Sequence, residues 1–389
     1  MRVTEPRASL AAEVIADASA LDSLAGEWSE LLADSDQSSP TMSPLWIGAW
    51  WKVFGDKDGR ELRVAVLRDG GRLVGLAPLS ARRVWCRPGL RTWRLELLPS
   101  GEREEDEVLS DYLAVVARRG FEQRVADGLA ALLRSGGLGR WDELLMPRMS
   151  TDTAMVSLLV AALERAGALY FELTGGSPYI PLPRTWDEYL ARLSGSRRRL
   201  VRTSLRGLEA WCGGRSELRV AESAADLEEG LRVLRELHEQ RWTEAGKPGA
   251  FASPLFSAFH EAVMPALLER GELELMWLVA ADQPIAAVYN IVWSGAVQFY
   301  QAGRRMELPR ELRPGVVLHA LAIQRSIELG RREYDFLAGG ARYKQDLALA
   351  VRPLCSLRLV RRRRVDVARR AYERASSVLR AASISRKNP

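Results

Sequence analysis

The stretch from residue 271 to residue 346 constrains the fold of this chain more than any other. Three strand-like runs come first, separated by short turns at residues 281–283 and 294–295, and this spacing predicts an antiparallel meander. The segment Arg313-Pro314-Gly315 then opens a predicted helix that is apolar nearly all round. Because such a helix is buried against a sheet, the short strand ending at Asp335 is expected to return beside the meander through a crossover.

The same order of elements occurs in the first part of the chain. A hairpin at residues 61–84, a further strand, Asp111-Tyr112, a helix at residues 121–135 and a short buried strand follow one another. This order indicates a degenerate duplication of one unit of roughly 175 residues. The sequence therefore predicts an α/β fold with mixed sheets, built as two tandem units with a cleft between them. The predicted domains are residues 1–175 and 176–360, followed by a basic tail at residues 361–389.

Charge is concentrated in that tail. The chain of 389 residues has a net charge of +6, but residues 361–389 hold ten Lys and Arg against two acidic residues. Residues 1–360 therefore carry a net charge of −2. A near-neutral body does not indicate a nucleic-acid-binding domain. The tail has apolar residues at helical spacing opposite an arginine-rich face, which is typical of peripheral contact with an anionic membrane; a terminal helix packed on the body is the alternative.

The rest of the composition is that of an ordinary globular protein. Three widely spaced cysteines form neither a metal-ligand pattern nor a disulfide framework, so no metal is expected. The sequence contains no apolar run long enough to span a bilayer and no secretory signal. These features predict a cytoplasmic protein, with the inner face of the membrane as a second location through the tail.

The start of the predicted apolar helix is a candidate anion site. The first N–H groups of a helix have no internal partner, and the helix macrodipole is positive at that end. A phosphate or pyrophosphate is the natural ligand for such a site, although a plain helix start explains the same residues. No Gly-Lys-Ser/Thr loop and no GxGxxG fingerprint is present. The predicted cofactor-binding residues are Arg313, Gly315, Val316 and Val317.

The whole pattern resembles a known group of enzymes, the GNAT superfamily, and within it the cellulose-biosynthesis (CelD-like) acetyltransferases. In the second half the resemblance rests on residues 186–190 and 197–208, LHEQRW at residues 237–242, the LVAxDxPIAA meander, Arg313-Pro314-Gly315 and the run GRREYDFLAGGARYK. In the first half it rests on Trp46, Trp50, GRLVGLAPL and Asp111-Tyr112. The two-unit layout is also similar to that of Fem-type aminoacyltransferases, which use aminoacyl-tRNA.

The resemblance implies two GNAT-like domains and transfer of an acyl group by direct attack on a thioester. Such chemistry needs a group that removes a proton from the acceptor, polarisation of the carbonyl, and an acid for the leaving thiolate. Core packing or capping is the alternative for each candidate. The predicted catalytic residues are Asp335, Tyr343, Lys344, Tyr300 and His238, and the predicted substrate-binding residues are Asp111, Tyr112, Trp46 and Arg241.

The leading hypothesis is an acyl-CoA-dependent N- or O-acyltransferase, with acetyl-CoA as the expected co-substrate and acyl carrier protein as another donor. The expected acceptor is a small molecule or a sugar precursor of envelope or exopolysaccharide synthesis. Two alternatives stay open: an aminoacyl-tRNA-dependent transferase, and a catalytically inactive binding or scaffold protein.

Overall fold

The computed structural model of the chain describes residues 9–87 and 90–361, apart from the side chains of residues 86, 87, 90 and 310. The helices are α1 Ala18–Ser23, α2 Ala25–Ala33, α3 Pro44–Phe54, α4 Glu122–Ser135, α5 Ala154–Leu163, α6 Trp186–Arg192, α7 Gly195–Cys212, α8 Ala224–Glu244, α9 Pro254–Glu269, α10 Pro314–Glu328 and α11 Arg342–Leu347. The strands are β1 Ala11–Ile15, β2 Glu61–Leu62, β3 Val64–Asp69, β4 Arg72–Ala77, β5 Leu79–Arg87, β6 Leu90–Leu97, β7 Val116–Ala117, β8 Glu143–Ser150, β9 Ala168–Pro181, β10 Ser216–Val220, β11 Leu273–Ala280, β12 Gln283–Trp293, β13 Ala296–Arg304, β14 Glu333–Asp335 and β15 Ala350–Val360.

The predicted basic tail lies outside the described residues from residue 362 onward, so the predictions made for it remain predictions. Within the ranges that are described, no helix combines the length and the apolar character needed to cross a membrane.

The strands form two sheets. In the larger sheet, the strand pairings on one side of the central pair repeat those on the other side. The smaller sheet has the order β1-β3-β4-β7, and the larger has the order β10-β11-β12-β13-β14-β9-β15-β8-β6-β5-β2. Around the central antiparallel pair of β9 and β15, each side continues with an antiparallel, a parallel and another antiparallel pairing. The two halves of the chain thus contribute equivalent sets of strands.

The last strand of each half is exchanged between the halves. Strand β9, at the end of the first half, pairs with β14 of the second half, whereas β15, at the end of the second half, pairs with β8 of the first. The predicted domain boundary at residues 175 and 176 therefore falls inside the 14-residue strand β9. One hydrophobic core contains buried residues of both halves, so the halves are joined by shared strands as well as by packing.

The meander and the buried helix have the predicted form. Strands β11, β12 and β13 are antiparallel, and the turns between them place Ala281, Asp282, Ser294 and Gly295 at positive φ, as two-residue hairpin turns require. Helix α10 buries most of its surface, and β14 returns parallel to β13. The prediction of an α/β fold with mixed sheets is confirmed.

The first half departs from its predicted form in the hairpin at residues 61–84. Pro78 divides the second strand of the hairpin, so that β4 lies in the small sheet and β5 in the large one.

The acidic loop at residues 102–107 contacts the body. Trp50 donates a hydrogen bond to Glu102, and Ser253 of the second half donates to Asp106 over 2.6 Å. The loop thus helps to join the halves.

The close approach of α8 to β13 gives a stability prediction. A Cβ atom at Gly303 would lie 2.4 Å from the backbone nitrogen of His238 and 2.6 Å from the carbonyl carbon of Leu237, and backbone atoms cannot move aside cheaply. We expect Gly303→Ala to lower the free energy of unfolding by about 1–3 kcal/mol, measured by denaturant titration. The matched control is Gly207→Ala in α7, where a Cβ meets nothing within 4 Å. Equal effects of the two substitutions would contradict the close packing of α8 on β13.

Candidate active site

The parallel strands β13 and β14 pair over the first three residues of β13, which is the whole length of β14. Their register covers three positions, from Ala296 opposite Glu333 to Gln298 opposite Asp335. Beyond Gln298, this edge of β13 has no strand neighbour in the described part of the chain. A cavity of about 550 Å³, here called the α10 cavity, lies along Ala302 to Arg304 and reaches the N-terminus of α10. The unpaired edge of β13 therefore leads along the cavity toward the start of α10.

Arginine side chains surround the α10 cavity. Arg241 from α8, Arg304 and Arg305 from the end of β13 and Arg313 all line it, against the single acidic residue Glu244. Arg305 is within 3.6 Å of Glu307, whereas none of the ion pairs within the described residues includes Arg241, Arg304 or Arg313. Burial lowers the pKa of Arg304. Three cationic groups that share one cavity without carboxylate partners make a site for an anion.

The turn before α10 shapes the wall of this cavity. Arg313 has a left-handed backbone, with φ of 42°, and Pro314 occupies the first helical position, where its missing N–H costs nothing. Gly315 and Val316 line the cavity. Val317 does not. Its side chain is fully buried in the core and its N–H is bonded to the carbonyl oxygen of Arg313, because the first turn of α10 points this residue at the sheet.

Aromatic rings lie beside the α10 cavity, where Tyr343 stacks on His319 with ring centroids 5.1 Å apart. Both residues line the cavity, and Phe299 contacts both rings. Burial raises the pKa of Tyr343 to about 12 and lowers the pKa of His319 to about 3. Tyr343 is therefore a neutral phenol at the cavity wall, and His319 is a neutral imidazole.

Asp335, at the end of β14, lies at the centre of a buried polar cluster between the halves. Its carboxylate accepts hydrogen bonds from the Tyr112 hydroxyl at 2.6 Å, from Arg352 at 2.7 Å and from the Leu337 N–H at 2.7 Å. Asp335 is only 1% exposed, and burial raises its pKa to about 6. The predicted residues Tyr112 and Asp335, which are 223 positions apart in sequence, are thus in direct contact.

Asp111 belongs to the same region and orders the loop after β14. It accepts from Arg148 at 2.9 Å and from the Ala338 N–H at 2.7 Å. Lys344 donates to three carbonyl oxygens of this loop, at 2.7, 3.3 and 2.7 Å; these belong to residues 336–338. The ammonium group is fully used by these bonds, so Lys344 positions the loop and does not act as a free base. Burial lowers its pKa to about 8.

Backbone strain is concentrated at this cluster. Tyr112, Arg148 and Leu337 have φ of 62°, 54° and 55°, in the left-handed region that residues with bulky side chains avoid. Each of them makes or receives a hydrogen bond of the cluster. Strain of this kind persists only where surrounding contacts fix it, and it is concentrated at functional sites.

A second cavity, of about 240 Å³, opens between the halves at the paired ends of β13 and β14. It is here called the inter-half cavity, and Tyr112, Asp152, Trp293, Gln298, Glu333 and Arg352 are among its lining residues. Because Gln298 lies four residues before Ala302 on β13, the two cavities are about 13 Å apart along the strand. The β13–β14 pair and the Asp335 cluster lie between them.

Three predicted site residues pack in the core instead. Trp46 donates to Ser110 over 3.0 Å and packs edge-on against Tyr300. Tyr300 donates to the carbonyl oxygen of Val108, and burial raises its pKa. His238 contacts Ala302 O through Nδ1 and accepts from the Ala250 N–H through Nε2, and burial lowers its pKa to about 4. The polar atoms of all three are used within the protein, so packing explains their positions.

Sequence reasoning missed Arg352 and Arg304. Arg352 on β15 bonds to Asp335, to Glu333 at 2.9 Å and to Asp152 at 2.9 Å. Nothing in its surrounding sequence marks it, because its partners come from distant parts of the chain. Arg304 had a weak signal, since it directly follows a strand that leads to the Pro-Gly turn.

Comparisons with known proteins concern one domain and the fold. Residues 195–345 match the family model of the acetyltransferase (GNAT) domain. Among solved structures, the chain is similar to FemX, with 12% identity, 86% of this chain and 95% of that chain covered, and a TM-score of 0.59. It is also similar to L-PGS from Bacillus licheniformis (13%, 88% and 94%, 0.50) and to a conserved protein of unknown function from Bacteroides thetaiotaomicron (10%, 86% and 97%, 0.51). At these identities the likeness shows the fold alone. No curated protein sequence matches significantly.

Proposed function

We propose that this acyltransferase, whose residues 195–345 match a GNAT acetyltransferase domain, uses acyl-CoA as its donor and transfers the acyl group to a small molecule or a sugar precursor. The α10 cavity carries this proposal, because three arginines that have no ion-pair partner among the described residues share it with the N-terminus of a buried helix. A helix N-terminus and convergent guanidinium groups suit a pyrophosphate, and acyl-CoA carries one next to its thioester-bearing arm.

The unpaired edge of β13 beyond the end of β14 supports the placement of that arm. An extended arm that starts at Arg313 and follows the unpaired edge of β13 would bring the thioester toward Gln298 and Asp335. Its acyl carbon would then lie between the α10 cavity and the inter-half cavity. The donor would thus approach from the α10 cavity, and the acceptor from the inter-half cavity.

The reaction would be a direct transfer. The nitrogen or oxygen of the acceptor attacks the thioester carbon, a C–N or C–O bond forms and the C–S bond breaks. We assign the proton of the acceptor to the Tyr112–Asp335 pair: Tyr112 accepts it while passing its own proton to Asp335 over the 2.6 Å hydrogen bond. The raised pKa of Asp335 suits a proton acceptor near neutral pH. Tyr343, a neutral phenol on the wall of the α10 cavity, would supply a proton to the leaving thiolate.

The residue-level resemblance to cellulose-biosynthesis acetyltransferases supports an acceptor from envelope or exopolysaccharide synthesis. A cytoplasmic location, with the tail as a membrane contact, is part of the same proposal.

Donor binding is the direct test. We expect Arg313→Ala to weaken acetyl-CoA binding about 10- to 100-fold, because a charged hydrogen bond to phosphate contributes about 1.5–3 kcal/mol. The measurement is isothermal titration calorimetry of the full-length protein with acetyl-CoA. The matched control is Arg134→Ala, an exposed arginine on α4 of the other half, which should leave the dissociation constant unchanged.

Two results would replace the proposal by one of its alternatives. Absence of acyl-CoA binding together with binding of aminoacyl-tRNA would assign the α10 cavity to a tRNA 3′ end and its ester. Binding of neither donor by the folded wild-type protein would favour a binding or scaffold role.

A further inference from the structure

Gln298 lines the inter-half cavity with an amide that has no hydrogen-bond partner in the described part of the chain. The residue is 8% exposed, lines that cavity, and its side chain makes no hydrogen bond to any other described residue. The polar atoms of the amide are accessible from the cavity, so a ligand bound there can form hydrogen bonds with them. Gln298 lies opposite Asp335 in the register of β13 and β14. A ligand bound in the cavity would complete the hydrogen bonds of its amide.

The charges around the inter-half cavity are largely neutralised by one another. Arg352 forms ion pairs with Asp152 and Glu333, and Asp36 pairs with Arg119. Arg332 donates to the carbonyl oxygen of Ser294 at 2.9 Å. A strongly charged ligand would have to break these pairs, whereas a neutral one can bind beside them.

The uncharged groups of the lining are of the kinds that recognise hydroxyl groups. The Gln298 amide both donates and accepts, and the Thr153 hydroxyl can do either. The Tyr112 oxygen accepts from Arg352 at 3.3 Å and keeps one further lone pair. Trp293, whose indole N–H donates to Ser38 over 2.9 Å, adds an apolar ring face. An amide, hydroxyls and an indole around about 240 Å³ match one small ring that carries several hydroxyl groups.

We propose that the inter-half cavity is the acceptor-binding subsite and that its ligand is a small, uncharged, polyhydroxylated ring held by the Gln298 amide. The proposal rests on the proposed function for the transfer step, but not for binding. Because the cavity adjoins Tyr112, a hydroxyl or amino substituent of such a ring would face the Tyr112–Asp335 pair. Gln298 is then a specificity-determining residue, since a ligand that displaces water from its amide without bonding to it loses affinity.

The experiment compares acceptors and variants in the full-length protein with acetyl-CoA, by release of free thiol. The acceptor probes are glucosamine, glucose, cyclohexanol and spermidine, assayed above the pKa of the glucosamine amine so that this sugar is uncharged. We expect at least one hydroxylated ring to be acetylated with kcat/KM at least tenfold above cyclohexanol and spermidine. Gln298→Leu should raise the KM of that probe about tenfold, because a site built to hydrogen-bond a hydroxyl loses that selectivity, and should leave the dissociation constant of acetyl-CoA unchanged.

The control is Gln301→Leu, the same change on the same strand, which should leave the KM of the acceptor unchanged. Thr153→Val is a second test if Gln298→Leu does not fold, with a smaller increase in KM expected. Saturation-transfer NMR with glucosamine and glucose reports binding without a donor. If the protein binds a sugar but no acetyl-CoA, and Gln298→Leu abolishes the sugar binding, the proposed function is wrong and this subsite stands. Donor binding without binding or acetylation of either sugar, or an unchanged KM in Gln298→Leu, would overturn the subsite.

Discussion

Arg352→Ala is expected to lower the free energy of unfolding by about 3–5 kcal/mol and to reduce acyl transfer strongly, because it removes one partner of a buried ion-pair network. The guanidinium binds Asp335, Glu333 and Asp152 and lies over the Tyr179 ring at 4.4 Å. Without it, Asp335 stays buried with an uncompensated charge. Denaturant titration and thiol release measure the two effects.

The loss of stability in Arg352→Ala should depend on pH. In the native protein burial raises the pKa of Asp335 to about 6 from its usual 3.8, so the stability that its protonated form provides is present below pH 3.8 and is lost as the pH rises through about 6. Tyr112, Arg352 and Glu333 surround this carboxyl. Removing Arg352 raises the pKa of Asp335 further. The difference between variant and wild type should therefore be largest near pH 8 and become smaller toward pH 5.

Arg358→Ala on the same strand is the matched control. Its partner Glu143 keeps a second arginine, Arg94, at 2.8 Å, so the effect on stability should be smaller and transfer should be retained. If Arg352→Ala and Arg358→Ala were equally stable and the difference from wild type did not change with pH, the charge network would have no energetic role.

Lys344→Met is expected to lower kcat by about 100-fold with a smaller change in the KM for acetyl-CoA. The substitution keeps the size of the side chain but leaves the carbonyl oxygens of residues 336–338 without their donor. The same loop holds Asp335 and Asp111 through the N–H groups of Leu337 and Ala338. A displacement of the order of 1 Å at reacting groups costs about this factor.

Steady-state kinetics with a fixed acceptor would measure this effect, and thermal unfolding would show whether the variant is folded at the assay temperature. Lys247→Met, which changes an exposed lysine in the loop after α8, is the control and should behave as wild type. A folded Lys344→Met protein with unchanged kcat would show that the loop needs no ammonium group to hold its shape.

Much of the architecture could be predicted from local patterns. The turns at residues 281–283 and 294–295, the start of α10 at Pro314 and the capping box of Ser223 and Asp226 are encoded by neighbours in sequence. Turn and capping geometry depends on side chains a few residues apart, so a sequence shows it directly. The resemblance of the whole pattern then identified the reaction class.

A site residue could be predicted only where both its side-chain type and its position next to a predicted helix start or strand end indicated a site. Arg313 and Gly315 lie at the helix start that defines the α10 cavity, and Asp335 ends the strand beside it. Tyr300 and Trp46 also carry polar groups, yet the Tyr300 hydroxyl bonds to the first half and the Trp46 ring packs against Tyr300. Residue type does not reveal whether a side chain faces a cavity or a core.

What the sequence by itself determined is the α/β class and the order of strands and helices, because these follow from periodicity and from residues close together in the chain. Only the tertiary structure decided that β9 and β15 are exchanged between the halves and that Tyr112 meets Asp335 and Arg352. It also decided that the Gln298 amide faces the inter-half cavity. The physical reason is that strand pairing and buried charge networks join residues hundreds of positions apart, and no local pattern in the chain records which partner each one finds.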